Sequence, residues 1–97
     1  MEITDVRVSL RDEDKLRAFV TITFDESFVV RGIKVIEGNQ GLFVAMPSRR
    51  KADGQFQDIA HPIHREMRER LEEHVLREYR LAEEQQGVAG VRMTDVG

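Results

Sequence analysis

The residues of this chain that could do chemistry are cations. Arg49, Arg50 and Lys51 are consecutive, and no acid follows until Asp53. Three adjacent cations can each meet a phosphate oxygen, with no regard to base sequence. A polar turn that only keeps the surface soluble would have the same composition, and both readings stand at this point. A second group, Arg65, Arg68, Arg70, Arg77 and Arg80, falls on a predicted helix. That helix also carries Glu66, Glu69, Glu72, Glu73 and Glu78, so its formal charge cancels. Arg65 and Arg68 differ from the others by sitting at the helix start. A cation there opposes the helix dipole, so helix stability does not explain it, whereas an anionic partner would.

Other constellations fail on spacing. The chain has no cysteine, which excludes thiolate nucleophiles, thiolate metal sites and disulfides. Ser9, Ser27 and Ser48 do not sit in a G-x-S-x-G elbow. Asp25 and Glu26 are adjacent turn carboxylates, which ordinarily are simply solvated. His61 and His64 are too few for a metal site, and His74, the remaining histidine, lies about three turns further on. The string "GNQG" has the shape of a phosphate-clamping loop, but here it joins two strands and reads as a hairpin turn. The expectation is therefore no enzymatic activity, no cofactor, no metal and no small-molecule substrate.

These residues need a scaffold, and 97 residues supply one small domain. A net charge of −3 means that any nucleic-acid binding must come from local clustering of cations. The absence of cysteine fits a reducing cytosol. No signal peptide is visible at the start, and no run approaches the roughly 20 apolar residues of a membrane span. A cytoplasmic protein with no membrane contact is expected.

"ITDVRVSL" places Thr4, Val6, Val8 and Leu10 on one parity, a strand with one wet face. "RAFVTITF" repeats the pattern after a charged turn, as the second strand of a hairpin. "FVVRGIKVIEG" is a third strand, with Gly32 marking a bulge. "LFVAM" is apolar on both parities, which predicts a central or doubly covered strand that Pro47 ends. Asp53-Gly54 is a tight turn, and "QFQDIA" is the returning strand. From Ile63 the period becomes four: Ile63, Met67, Leu71, Val75 and Tyr79 form one stripe of a helix running to about Ala82, with Pro62 in its first turn. Glu66–Arg70 and Glu73–Arg77 are i,i+4 pairs. The fold class is α+β: a small antiparallel sheet of four to five strands with one long C-terminal helix packed on it. The domain spans residues 1–82, and 83–97 read as a mobile tail. One helix covers one sheet face, so the other face or an open edge is the candidate dimer surface. If Gln55 to Ala60 is a strand, it holds the basic triplet about 20 Å from the helix start.

The stretches "FDESFVVRGIKVIEGNQGLFVAMPSRR" and "FQDIAHPI" resemble the bacterial SpoVG family (stage V sporulation protein G), from about Met1 to Tyr79. The resemblance implies a homodimer that binds DNA, with RNA as a further ligand, and that acts as a regulator in septation and sporulation. It implies no enzyme activity and places nucleic-acid contacts around the helix and its basic residues. Arg49-Arg50 matches the family's basic dipeptide after "MPS", and Lys51 extends it. His64 and Arg65 stand where the family pattern has polar uncharged residues, so sequence preference can differ here. The resulting assignment makes Arg49, Arg50 and Lys51 an auxiliary phosphate clamp and gives Arg65 and its helix the selectivity, with Arg68 a further nucleic-acid contact. The competing assignment is a protein-interaction module of the septation or sporulation machinery that touches no nucleic acid.

Overall fold

The computed structural model describes the backbone of residues 1–96 and the side chains of residues 1–86. Strands β1 (Ile3–Glu13), β2 (Leu16–Phe24), β3 (Phe28–Gly38) and β4 (Gly41–Ala45) form one antiparallel meander in the order β1-β2-β3-β4. Strands β5 (Ser48–Arg50) and β6 (Phe56–Asp58) form a separate two-stranded sheet. Helix α1 (Arg65–Val96) follows. The α+β class expected from the sequence is the observed one.

Alternation along β2 explains why the sheet has one dry face. Ala18, Val20, Ile22 and Phe24 are buried, and the intervening residues are half-buried. Ile33 and Val35 of β3, Val44 of β4, and Met46 join them beneath Leu71, Val75 and Tyr79 of α1. Val6, Val8 and Leu10 of β1 border this core, facing Ile22, Val20 and Ala18. Thr4 departs from the expected parity. A register shift between Ile3 and Asp5 turns Ile3 inward instead. Thr4 Oγ1 then bonds the neighbouring turn, accepting from Glu26 N–H at 2.9 Å and donating to the Thr23 carbonyl at 3.2 Å.

Gly32 sits at a bulge, as its place in the strand predicts. Val20 faces Ile33 and Ile22 faces Val30, leaving Arg31 and Gly32 opposite Thr21 alone. Gly32 has φ +82°, and a Cβ there would lie 3.5 Å from Pro47 Cβ. The bulge therefore lies against the proline that ends β4.

Three expectations need correction. The apolar run "LFVAM" is not central: β4 is the edge of the sheet. Val44 and Met46 point into the core, while Phe43 remains 48% exposed. Next, "QFQDIA" is the returning strand only over Phe56–Asp58. Pro47, which has no N–H, ends the β4 ladder, and β6 pairs with β5 instead. Last, the helix starts at Arg65, not in the turn of Pro62. The Arg68 N–H donates to the His64 carbonyl at 3.0 Å, so Ile63 precedes the helical phase and is 83% exposed. At the other end α1 extends past Ala82, where the apolar stripe stops but Glu and Gln are still good helix formers. The tail expected from residue 83 falls, beyond Gln86, on side chains outside the described residues.

Candidate nucleic-acid interface

The basic triplet lies on the β5–β6 ribbon. Arg49 and Arg50 belong to β5, and Lys51 follows it. Cross-strand pairs are Ser48 with Asp58, Arg49 with Gln57, and Arg50 with Phe56. The tip is closed by its own hydrogen bonds. Lys51 N–H donates to the Gln55 carbonyl at 2.7 Å, and Gly54 N–H donates to the Lys51 carbonyl at 3.0 Å. Asp53 Oδ1 accepts from Gln55 N–H at 3.0 Å, an Asx-type turn that explains why Asp precedes Gly here. Gly54 has φ +90°, which an L side chain rarely adopts. The base is closed by Ile59 N–H donating to the Pro47 carbonyl at 2.7 Å.

Every residue of β5 and β6 is exposed. Among the described residues, no carboxylate comes within 4.0 Å of the charged groups of Arg49, Arg50, Lys51 or Arg68. A guanidinium or ammonium without a carboxylate partner is free to meet a phosphate.

The helix start is different. Arg65 is exposed and lies 3.6 Å from Glu69 Oε1, one turn on. Such a surface i,i+4 pair is weak and can be opened by a phosphate. Arg68 is half-buried. The Glu66–Arg70 pair expected from spacing does not form. Arg70 Nη2 instead donates to the Met1 carbonyl at 3.2 Å, tying the chain start to the helix. Glu73 and Arg77 likewise make no ion pair among the described residues.

A polar network that spacing could not reveal joins sheet to helix. Arg17 Nε donates to Tyr79 Oη at 3.3 Å, and Tyr79 Oη donates to Glu83 Oε2 at 2.9 Å. Arg17 also meets Glu37 at 3.4 Å and Glu83 at 3.5 Å. Burial pushes the Tyr79 hydroxyl pKa above its usual value. The Arg17 pKa is raised, first by its bond to Tyr79 and also by the carboxylates. Their positions are 62 residues apart, so only the fold brings them together.

The sheet face away from α1 carries Phe19, Thr21, Ile36 and Phe43, with the Arg11 guanidinium 5.4 Å from the Phe19 ring centroid. Phe43 is directly opposite Ile36 on the open edge. Among the described residues, no helix is long and apolar enough to cross a membrane.

The sequence profile of the SpoVG family matches residues 1–81 of this chain. Relatives carry the name "Putative septation protein SpoVG". One from Anaeromyxobacter sp. (strain Fw109-5) is 61% identical over 79 residues, 81% of each chain. One from Thermoanaerobacter pseudethanolicus is 58% identical over 87 residues, covering 89% of this chain and 95% of the relative. Another, from Anaeromyxobacter sp. (strain K), is 52% identical over 94 residues, covering 97% and 93%. On this coverage and identity, the chain belongs to the SpoVG family.

Proposed function

We propose that this protein is a dimeric, nucleic-acid-binding regulator of septation and sporulation, acting in the cytoplasm on DNA and secondarily on RNA. The observation that carries this reading is the ribbon: three adjacent cations with no carboxylate partner among the described residues, on an exposed and internally braced hairpin. Arg49, Arg50 and Lys51 contact phosphates, and Arg65 and Arg68 add contacts from the helix start. The septation role comes from the names of the relatives. No catalytic step is assigned.

The dimer forms through the β4 edge and the Phe43–Ile36 face, where an apolar pair and free strand backbone coincide. Phe43→Asp is expected to convert a sedimenting dimer of about 22 kDa, twice the 11.2 kDa chain, into a monomer. Binding is tested by anisotropy on pooled genomic duplexes: affinity falls steeply with salt if phosphates dominate. Parent protein that binds no duplex at low salt refutes the reading.

The same uncovered face favours a second reading, a protein-docking module with no nucleic-acid contact. Pull-down with and without nuclease separates the two. A partner set unchanged by nuclease supports docking.

A further inference from the structure

Three of the chain's four methionines meet in one place. Met1, Met46 and Met67 line a single cavity of about 130 Å³, together with His61. They come from four separate parts of the fold: the chain start, the end of β4, the loop between β6 and α1, and the first turn of α1. Phe24, Phe28, Val30 and Leu71 supply most of the remaining wall, so the cavity is apolar apart from the sulfurs and the imidazole.

Core filling accounts for Met46, which is buried, but not for the whole set. Met1 is 70% exposed, yet it is held beside the cavity. Its carbonyl accepts from Arg70 Nη2 at 3.2 Å, Glu2 N–H donates to Asp25 Oδ1 at 2.8 Å, and Asp25 N–H donates to the Glu2 carbonyl at 2.8 Å. His61 has an orienting neighbour. Its Nδ1 lies 3.9 Å from Asp58 Oδ2, which favours the proton on Nδ1 and leaves the Nε2 lone pair free. The histidines alone are too few for a metal, but the sulfurs complete the count. Among the described residues, no three of His, Cys, Asp and Glu stand close enough to hold an ion, so the donors that zinc, calcium or magnesium need are missing. Thioethers with imidazole are a soft set, and soft donors select Cu(I). Charge argues the same way. All four ligands are neutral, so a divalent ion would carry twice the uncompensated charge into an apolar wall. A monovalent ion carries one, and Asp58 beside His61 offsets it.

We propose that Met1, Met46, His61 and Met67 form a Cu(I) site where the meander, the base of the ribbon and the helix start meet. A methionine side chain has three rotatable bonds, so the sulfurs can converge in so small a cavity without moving the backbone. The bound ion ties Met46, next to the proline at the ribbon base, to the first turn of α1. This site is independent of the nucleic-acid reading, and neither stands or falls with the other.

The test titrates the full chain, without oxygen, against Cu(I) held by the chromophoric chelator bicinchoninate. The parent is expected to withdraw one Cu(I) per protomer, and its thermal midpoint to rise with the metal bound. Met46→Leu with Met67→Leu keeps volume and apolarity and removes two sulfurs. Groups that merely orient a ligand are worth about 10- to 100-fold in metal affinity, so the loss of two ligands should cost at least about 100-fold. His61 is exposed, so His61→Ala tests the same site without touching the core and should also weaken binding at least about 10-fold. His74→Ala, in a different cleft with Arg70 and Arg77, should leave binding unchanged. The inference is overturned if the parent takes no Cu(I) from the chelator or if Zn(II) binds as tightly. It is equally overturned if His61→Ala binds like the parent, or if His74→Ala weakens binding as much as His61→Ala does.

Discussion

Replacing Arg49, Arg50 and Lys51 together with alanine removes three of the five cations assigned to nucleic-acid contact. All three are exposed and make no ion pair among the described residues, so the fold should lose at most about 0.5 kcal/mol. Each neutralised phosphate contributes about 0.9 to the slope of log affinity against log salt on duplex DNA. Five contacts per protomer predict a slope of about −4.5, and the two that remain predict about −1.8. A rise from about 50 to about 200 mM salt should then weaken the parent roughly 500-fold and the variant only about 12-fold. Anisotropy of one labelled duplex across that range measures both slopes, with protein expressed per protomer. A guanidinium seated in a groove displaces counterions much as one on a phosphate does, so the estimate does not depend on which it touches. Parallel slopes for parent and variant would refute the placement of the anionic ligand on the ribbon.

Leu71→Ala should cost about 3 kcal/mol in chemical denaturation, because Leu71 is 2% exposed in the core. Ile63→Ala, two steps earlier on the same sequence stripe, should cost less than about 0.5 kcal/mol because Ile63 lies outside the helix. Tyr79→Phe deletes the hydroxyl that accepts from Arg17 and donates to Glu83, and should cost about 1 kcal/mol by thermal melt. It should also flatten the alkaline limb of the stability profile. A raised tyrosine pKa gives stability that is complete below the unfolded value near 10 and is lost as pH rises through the folded value. Glu26→Gly should raise stability by about 0.5 kcal/mol, since Glu26 holds φ at +52° in a turn that suits glycine.

Much of the fold was legible because period and burial agree. The β2 alternation and the Met67–Leu71–Val75–Tyr79 stripe each have one dry side, and both appear in the core where the pattern puts them. The misses have local causes. "LFVAM" is apolar on both parities without being central: Val44 and Met46 serve the core, and Phe43 lies on the uncovered side of an edge strand. Apolar parity reports what a strand can cover, not what this chain covers alone. Ile63 kept the spacing of four yet fell outside the helix because His64 supplies the first helical carbonyl. At the candidate site, the sequence showed the cations but not their pairing. Whether Arg49 stands beside Gln57 or beside a core residue depends on which strand β6 joins, and that follows from Pro47 ending the β4 ladder. The Arg17–Tyr79–Glu83 network was illegible because no short-range pattern links its members.

Under the proposed function, the position of the ribbon would let an acidic chain meet an anionic polymer. The ribbon, Ser48 to Asp58, holds three cations and two acids, a formal +1, while the whole chain is −3. The body therefore repels a phosphate backbone that the ribbon attracts. Both forces fall off over about 8 Å at physiological salt, so a phosphate at the exposed ribbon feels the local cations more than the net charge of the chain. Such an arrangement limits the orientations in which a duplex can approach, and it discourages the sheet from lying flat along the backbone. It has a cost in order. A two-stranded ribbon is marginal on its own, and the hydrogen bonds at its tip and base hold the Arg49–Gln57 register. Asp53 and Gly54 therefore fix where the basic side chains stand, through the Gln55 N–H bond to Asp53 Oδ1 and the Gly54 N–H bond to the Lys51 carbonyl.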